Sequence, residues 1–126
     1  MDRTLSPVLR ALLDTIEPEL ATLGFRLDDE TYNHAAFGSA SLEYSRRGSR
    51  LRFTWDGKDR WGWMNLAPQP TSAFPRPDTY VDLDQDYTKP GSYASQLSTA
   101  DQGVARGREL LGRLKSALAN IPNRAV

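Results

Sequence analysis

The chain holds one histidine, His34, and no cysteine. Thiolate catalysis, disulfides and cysteine-built zinc sites are therefore excluded. A serine–histidine–acid triad would have to run through His34. That residue sits in Asn33-His34-Ala35-Ala36, which reads as a strand-to-strand loop with no serine and acid arranged around it. It is expected to be a surface loop histidine.

Carboxylates offer two further candidates. Asp82, Asp84 and Asp86 resemble the start of a calcium loop. The EF-hand pattern needs glycine at its sixth position and glutamate at its twelfth. Tyr87 and Tyr93 stand there instead, so the pattern fails. In an extended segment the three aspartates would point one way, because strand side chains repeat every two residues. They are read as an acidic row facing solvent, and Tyr80, Tyr87 and Tyr93 beside them suit anchors for a protein partner. Asp28-Asp29-Glu30 is a second acidic run. Acid–base work would require burial to drive their pKa values apart, and neighbours at a strand end are usually wet.

Arginine and tryptophan supply the remaining chemistry. Arg46-Arg47-Gly48-Ser49-Arg50-Leu51-Arg52 precedes Trp55, Trp61 and Trp63. Basic groups interleaved with aromatics suit single-stranded nucleic acid. The competing reading is sheet packing, with arginines covering indoles by cation–π contact. Register decides the arrangement. A two- or four-residue loop after Trp55 puts Trp61 and Trp63 on the face of Arg50 and Arg52. A three-residue loop puts them with Leu51, Phe53 and Trp55. Gly103 and Gly107 lie four apart in a helical segment, which fits either a close backbone approach or a frayed first turn. A phosphate loop is absent, since no Lys-Ser/Thr follows these glycines.

The elements that must position these residues follow from periodicity. Leu5, Leu9, Leu12, Ile16, Leu20 and Leu23 recur at helical spacing, with Ser6 as N-cap, Pro7 at the first helical position and Gly24 as the stop. This predicts a helix from Pro7 to Leu23, kinked at Pro18. Phe25 to Asp28, Ser39 to Ser45, Arg50 to Trp55 and Arg60 to Ala67 read as strands, with turns at Arg46-Arg47-Gly48-Ser49 and at Asp56-Gly57. Pro68 to Pro77 holds four prolines and reads as a stiff loop. Thr79 to Leu83 suits a short edge strand. A last helix is expected from Ala100 to Asn120, opened by the capping-box pair Thr99 and Gln102. Its apolar stripe reads Val104, Leu111, Leu114, Leu118 and Ile121. The fold class expected is α+β: an antiparallel β-meander of four to five strands, with both terminal helices packed on one face.

At 126 residues one domain is the expectation, spanning 1–126. Net charge is zero but segregated. Residues 44–60 are rich in arginine and lysine, while Asp78, Asp82, Asp84, Asp86 and Asp101 face only Lys89 within 78–101. A zero total argues against general nucleic-acid binding. No apolar run approaches the ~20 residues of a membrane span, and the N-terminal residues do not read as a signal peptide. A cytoplasmic location is expected, and no cofactor or metal is called for.

The order helix, Leu23-Gly24-Phe25, Phe37-Gly38-Ser39, Leu51-Arg52-Phe53, Asp56-Gly57-Lys58 resembles small uncharacterised bacterial α+β domains, among them some immunity proteins of polymorphic toxin systems. The resemblance covers residues 7–67 and brings no active-site residue with it. It implies a non-enzymatic protein-binding domain, most concretely one that neutralises a bacterial toxin. The acidic row Asp82, Asp84, Asp86, with Tyr80, Tyr87 and Tyr93, is the surface expected to meet that partner. The alternatives are a secretion-chaperone-like protein that cradles an effector segment, and a single-stranded nucleic-acid binder acting through residues 46–63.

Overall fold

The computed structural model describes residues 6–33, 35, 38–68, 81–83 and 97–119. Its elements run α1 (Pro7–Thr22), β1 (Arg26–Asn33), β2 (Ser39–Arg46), β3 (Ser49–Asp56), β4 (Trp61–Pro68), β5 (Val81–Asp82) and α2 (Ala100–Ala119). The five strands form one antiparallel sheet in the order β1-β2-β3-β4-β5, so the meander is as expected.

Local chemistry sets the helix ends. The Ser6 hydroxyl accepts the Leu9 N–H at 3.4 Å, and Pro7 opens the helix without an N–H to satisfy. Gly24, at φ +92°, turns the chain out of α1. The helix continues through Pro18 to Thr22. At α2 the capping box closes in both directions: the Gln102 N–H donates to Thr99 Oγ1 at 3.2 Å, and the Thr99 N–H donates to Gln102 Oε1 at 3.0 Å.

β3 alternates strictly, and β2 and β4 do so over most of their length. Ala40, Leu42 and Tyr44 of β2, Leu51, Phe53 and Trp55 of β3, and Met64 and Leu66 of β4 are buried. They form one core with Leu9, Leu12, Leu13, Ile16 and Leu20 of α1 and Leu110, Leu111 and Leu114 of α2. Both helices therefore cover the same sheet face, as the sequence predicts. Leu118, expected in the core, is only partly buried at its margin. Leu110, outside the expected stripe, is fully enclosed.

The helices run parallel. A Cβ on Gly103 would stand 2.3 Å from the Val8 carbonyl oxygen, and one on Gly107 would meet Thr15 Cβ at 3.0 Å and the Leu12 carbonyl oxygen at 3.2 Å. Further along, Lys115 Nζ pairs with Glu19 Oε1 at 3.0 Å. The two glycines thus mark a close backbone approach, and the frayed-turn alternative is set aside. Both helix N-termini consequently lie at one end of the sheet.

β1 departs from its expected bounds. Phe25 is buried but precedes the strand, which runs on to Asn33. A bulge between Leu27 and Asp29 interrupts its pairing with β2. Asp28-Asp29-Glu30 is accordingly in mid-strand and not at a strand end.

Candidate functional site

The β2–β3 turn is the two-residue loop Arg47-Gly48, with Arg46 paired to Ser49 and Gly48 at φ +84°. This is the hairpin read from Arg46-Arg47-Gly48-Ser49. The β3–β4 connection has four residues between Asp56 and Trp61. Asp56 Oδ1 accepts the N–H groups of Lys58 and Asp59 at 3.0 and 3.1 Å, and Arg60 completes the turn at φ +51°.

That loop length fixes the register. Thr54 pairs with Trp63 and Arg52 with Asn65. Arg50, Arg52, Thr54, Trp63 and Asn65 therefore share the sheet face opposite α1 and α2, beside Ser41, Glu43 and Ser45 of β2. All are half-buried. Arg52 stands directly opposite Glu43, a favourable cross-strand charge pair.

Trp61 behaves differently. It packs against the core margin, and the Arg106 guanidinium lies over its ring at 4.3 Å from the centroid. Arg106 is buried within α2, donates from Nε to the Gly62 carbonyl at 3.0 Å, and pairs through Nη1 with Glu109. An arginine does cover an indole, as the packing reading held, and this one comes from the last helix. Burial of a charge here is compensated by an anion, a carbonyl and a π-face.

A cleft of about 480 Å³ opens at the β2–β3 turn, against the end of α1. Arg26, Arg46, Arg47 and Arg50 line it, with Ser45 and Ser49. Arg46 is held in place: Nη1 donates to the Leu23 carbonyl at 2.9 Å, and the guanidinium lies 5.2 Å from the Phe25 centroid. The bulged residue Asp28 pairs with Arg26 at 3.3 Å and with Arg50 at 3.8 Å. A second cleft of about 240 Å³ lies at the opposite end, among Val8, Tyr32, Trp55, Arg60 and Leu97.

Among the sequence candidates, Asp82 belongs to β5, which pairs with Asn65 and Leu66 of β4. The β5 strand confirms the edge strand expected there over its described residues. Tyr80, Asp84, Asp86, Tyr87, Tyr93 and His34 lie outside the described residues. Beside β5, Arg113 Nη1 of α2 donates to the Leu83 carbonyl at 3.3 Å. Among the described residues no group of three or more histidine, aspartate or glutamate side chains is gathered to hold a metal ion. Among the described residues no helix is long and apolar enough to cross a membrane. The arginine cleft escaped sequence reasoning because Gly24 and Gly48 are 24 residues apart in the chain. The signal available was the four-arginine density of 46–52 next to a two-residue turn.

No protein-family model, curated protein or solved structure matches the chain.

Proposed function

We propose that the protein works by binding a protein partner, without catalysing a reaction, and that the partner docks on the sheet face opposite α1 and α2. One observation carries this reading: the four-residue β3–β4 loop brings Arg50, Arg52 and Trp63 onto that face together. Tryptophan and arginine dominate interface hot spots, and both are half-buried here with their outer surfaces available. The favoured partner presents acidic groups to these arginines, which speeds encounter and selects orientation. Neutralisation of a bacterial toxin is the concrete setting for such a domain. The acidic row Asp82, Asp84, Asp86, with Tyr80, Tyr87 and Tyr93, is proposed as a second contact region for a partner of mixed charge.

The test is capture of the partner from the native host with the whole chain, followed by the double variant Arg52→Glu, Trp63→Ala. Loss of the same partner by a variant that still folds supports the reading. Retention at unchanged affinity moves the interface elsewhere.

The same face gives one specific second reading, single-stranded nucleic acid stacked on Trp63 and tracked by Arg50 and Arg52. Its signature is oligonucleotide binding that weakens steeply as salt rises. Absence of any binding at low salt removes it.

A further inference from the structure

We propose that the arginine cleft at the β2–β3 turn is a binding site for a phosphoryl dianion, a function separate from partner docking on the sheet face. Charge is the first argument. Four guanidinium groups line the cleft, and among the described residues the carboxylate that reaches them is Asp28, which engages Arg26 and Arg50. Arg46 and Arg47 have no ion pair among the described residues. Two guanidinium groups at one turn, without a counter-charge among the described residues, match the two charges of a phosphoryl group.

Preorganisation is the second argument. Arg46 is fixed by the Leu23 carbonyl and the Phe25 ring, so its remaining N–H groups are aimed before any ligand arrives. Arg47 sits on the turn itself and is exposed. The arginine fork suits paired oxygens of phosphate, and such bonds are stronger than neutral ones.

A third observation is independent of the arginines. Ser49 lines the cleft and is only 5% exposed, yet its hydroxyl has no hydrogen-bond partner among the described residues. Buried hydroxyls are normally satisfied, and leaving one unmade carries a desolvation cost. A phosphate oxygen entering the cleft would accept that hydrogen. The cleft's size, about 480 Å³, exceeds a bare phosphate and falls in the range of small-molecule sites. The ligand class is therefore a group bearing phosphate on a larger body, whether a free small molecule or a phosphorylated side chain.

The experiment follows the amide and arginine side-chain signals of the full chain by NMR at constant ionic strength. Inorganic pyrophosphate and a phosphoserine peptide are titrated in separate arms, with a single-stranded oligonucleotide in a third. The expected result is saturable shifts confined to Gly24, Arg46–Arg50 and their neighbours with at least one of the first two probes, and the stronger arm tells a free phosphate from a side-chain-borne one. Arg47→Gln should weaken that binding about tenfold, the effect of losing one charge-assisted contact. Ser49→Ala, which keeps the buried volume, should weaken it about threefold. Arg108→Gln on the exposed side of α2 removes the same charge elsewhere and should leave binding unchanged. The proposal is overturned if neither probe saturates, if Arg47→Gln and Arg108→Gln have equal effects, or if only the oligonucleotide binds.

Discussion

Glycine does opposite things at two positions of the same helix. Gly103 faces the Val8 carbonyl so closely that an added Cβ would sit 2.3 Å from it, and backbone cannot yield as a side-chain tip can. Gly103→Ala should therefore destabilise the fold by about 1–3 kcal/mol, because overpacking outweighs the roughly 1 kcal/mol of helix propensity gained. Gly112 meets nothing within 4 Å. Gly112→Ala should stabilise by about 0.5–1 kcal/mol through the lost freedom of the unfolded chain. Urea unfolding of the two variants checks the opposite signs. Equal signs would contradict the helix contact. Arg106 gives a second residue-scale prediction. Arg106→Met keeps the apolar stem but leaves the Gly62 carbonyl without its charged donor and Trp61 without its cation. The cost should be about 2–3 kcal/mol, read as a lower denaturation midpoint at unchanged slope. Sequence reading missed this residue for a physical reason. An arginine in a helical stripe normally marks the wet side, and only the carbonyl, carboxylate and indole assembled around Arg106 make its burial affordable.

Element boundaries were legible wherever the backbone needs a particular residue type. Ser6 with Pro7, Gly24, the Arg47-Gly48 turn and the Thr99–Gln102 box each stand where the chain changes direction. Period-two alternation placed Leu51, Phe53 and Trp55 on the core face. The β3–β4 loop was not decided in advance. Asp56-Gly57 suits several turn lengths, and the four-residue form is set by the Asp56 carboxylate gathering two N–H groups. The β1 bulge was invisible as well, since no residue type demands it. Within the sheet, Gly62 makes room for Phe53: a Cβ there would fall 2.9 Å from two ring carbons. Phe53, fully buried, should cost about 3–5 kcal/mol when replaced by alanine. Phe53→Leu combined with Gly62→Ala should cost less than the sum of those two single changes, since the two positions share one space. A thermodynamic cycle with no coupling would contradict the packing.

At the scale of the whole molecule, two parallel helices occupy one face of the sheet, and the opposite face carries Arg50, Arg52 and Trp63. The layering was readable because both terminal stripes are apolar while β3 alternates arginine with leucine, phenylalanine and tryptophan. What alternation could not reveal is which of the tryptophans serves the surface. Trp55 enters the core, Trp61 seals its margin against Arg106, and Trp63 is held on the open face by register. The most direct measurement is therefore the affinity of the captured protein partner for three forms of the full chain: the native sequence, Arg52→Glu with Trp63→Ala on the open face, and Lys115→Glu on the exposed side of α2. The account predicts a loss of about a hundredfold or more for the open-face variant, as expected for two hot-spot positions, and little change for the helix variant. Full affinity in the open-face variant, with its fold intact, would contradict it.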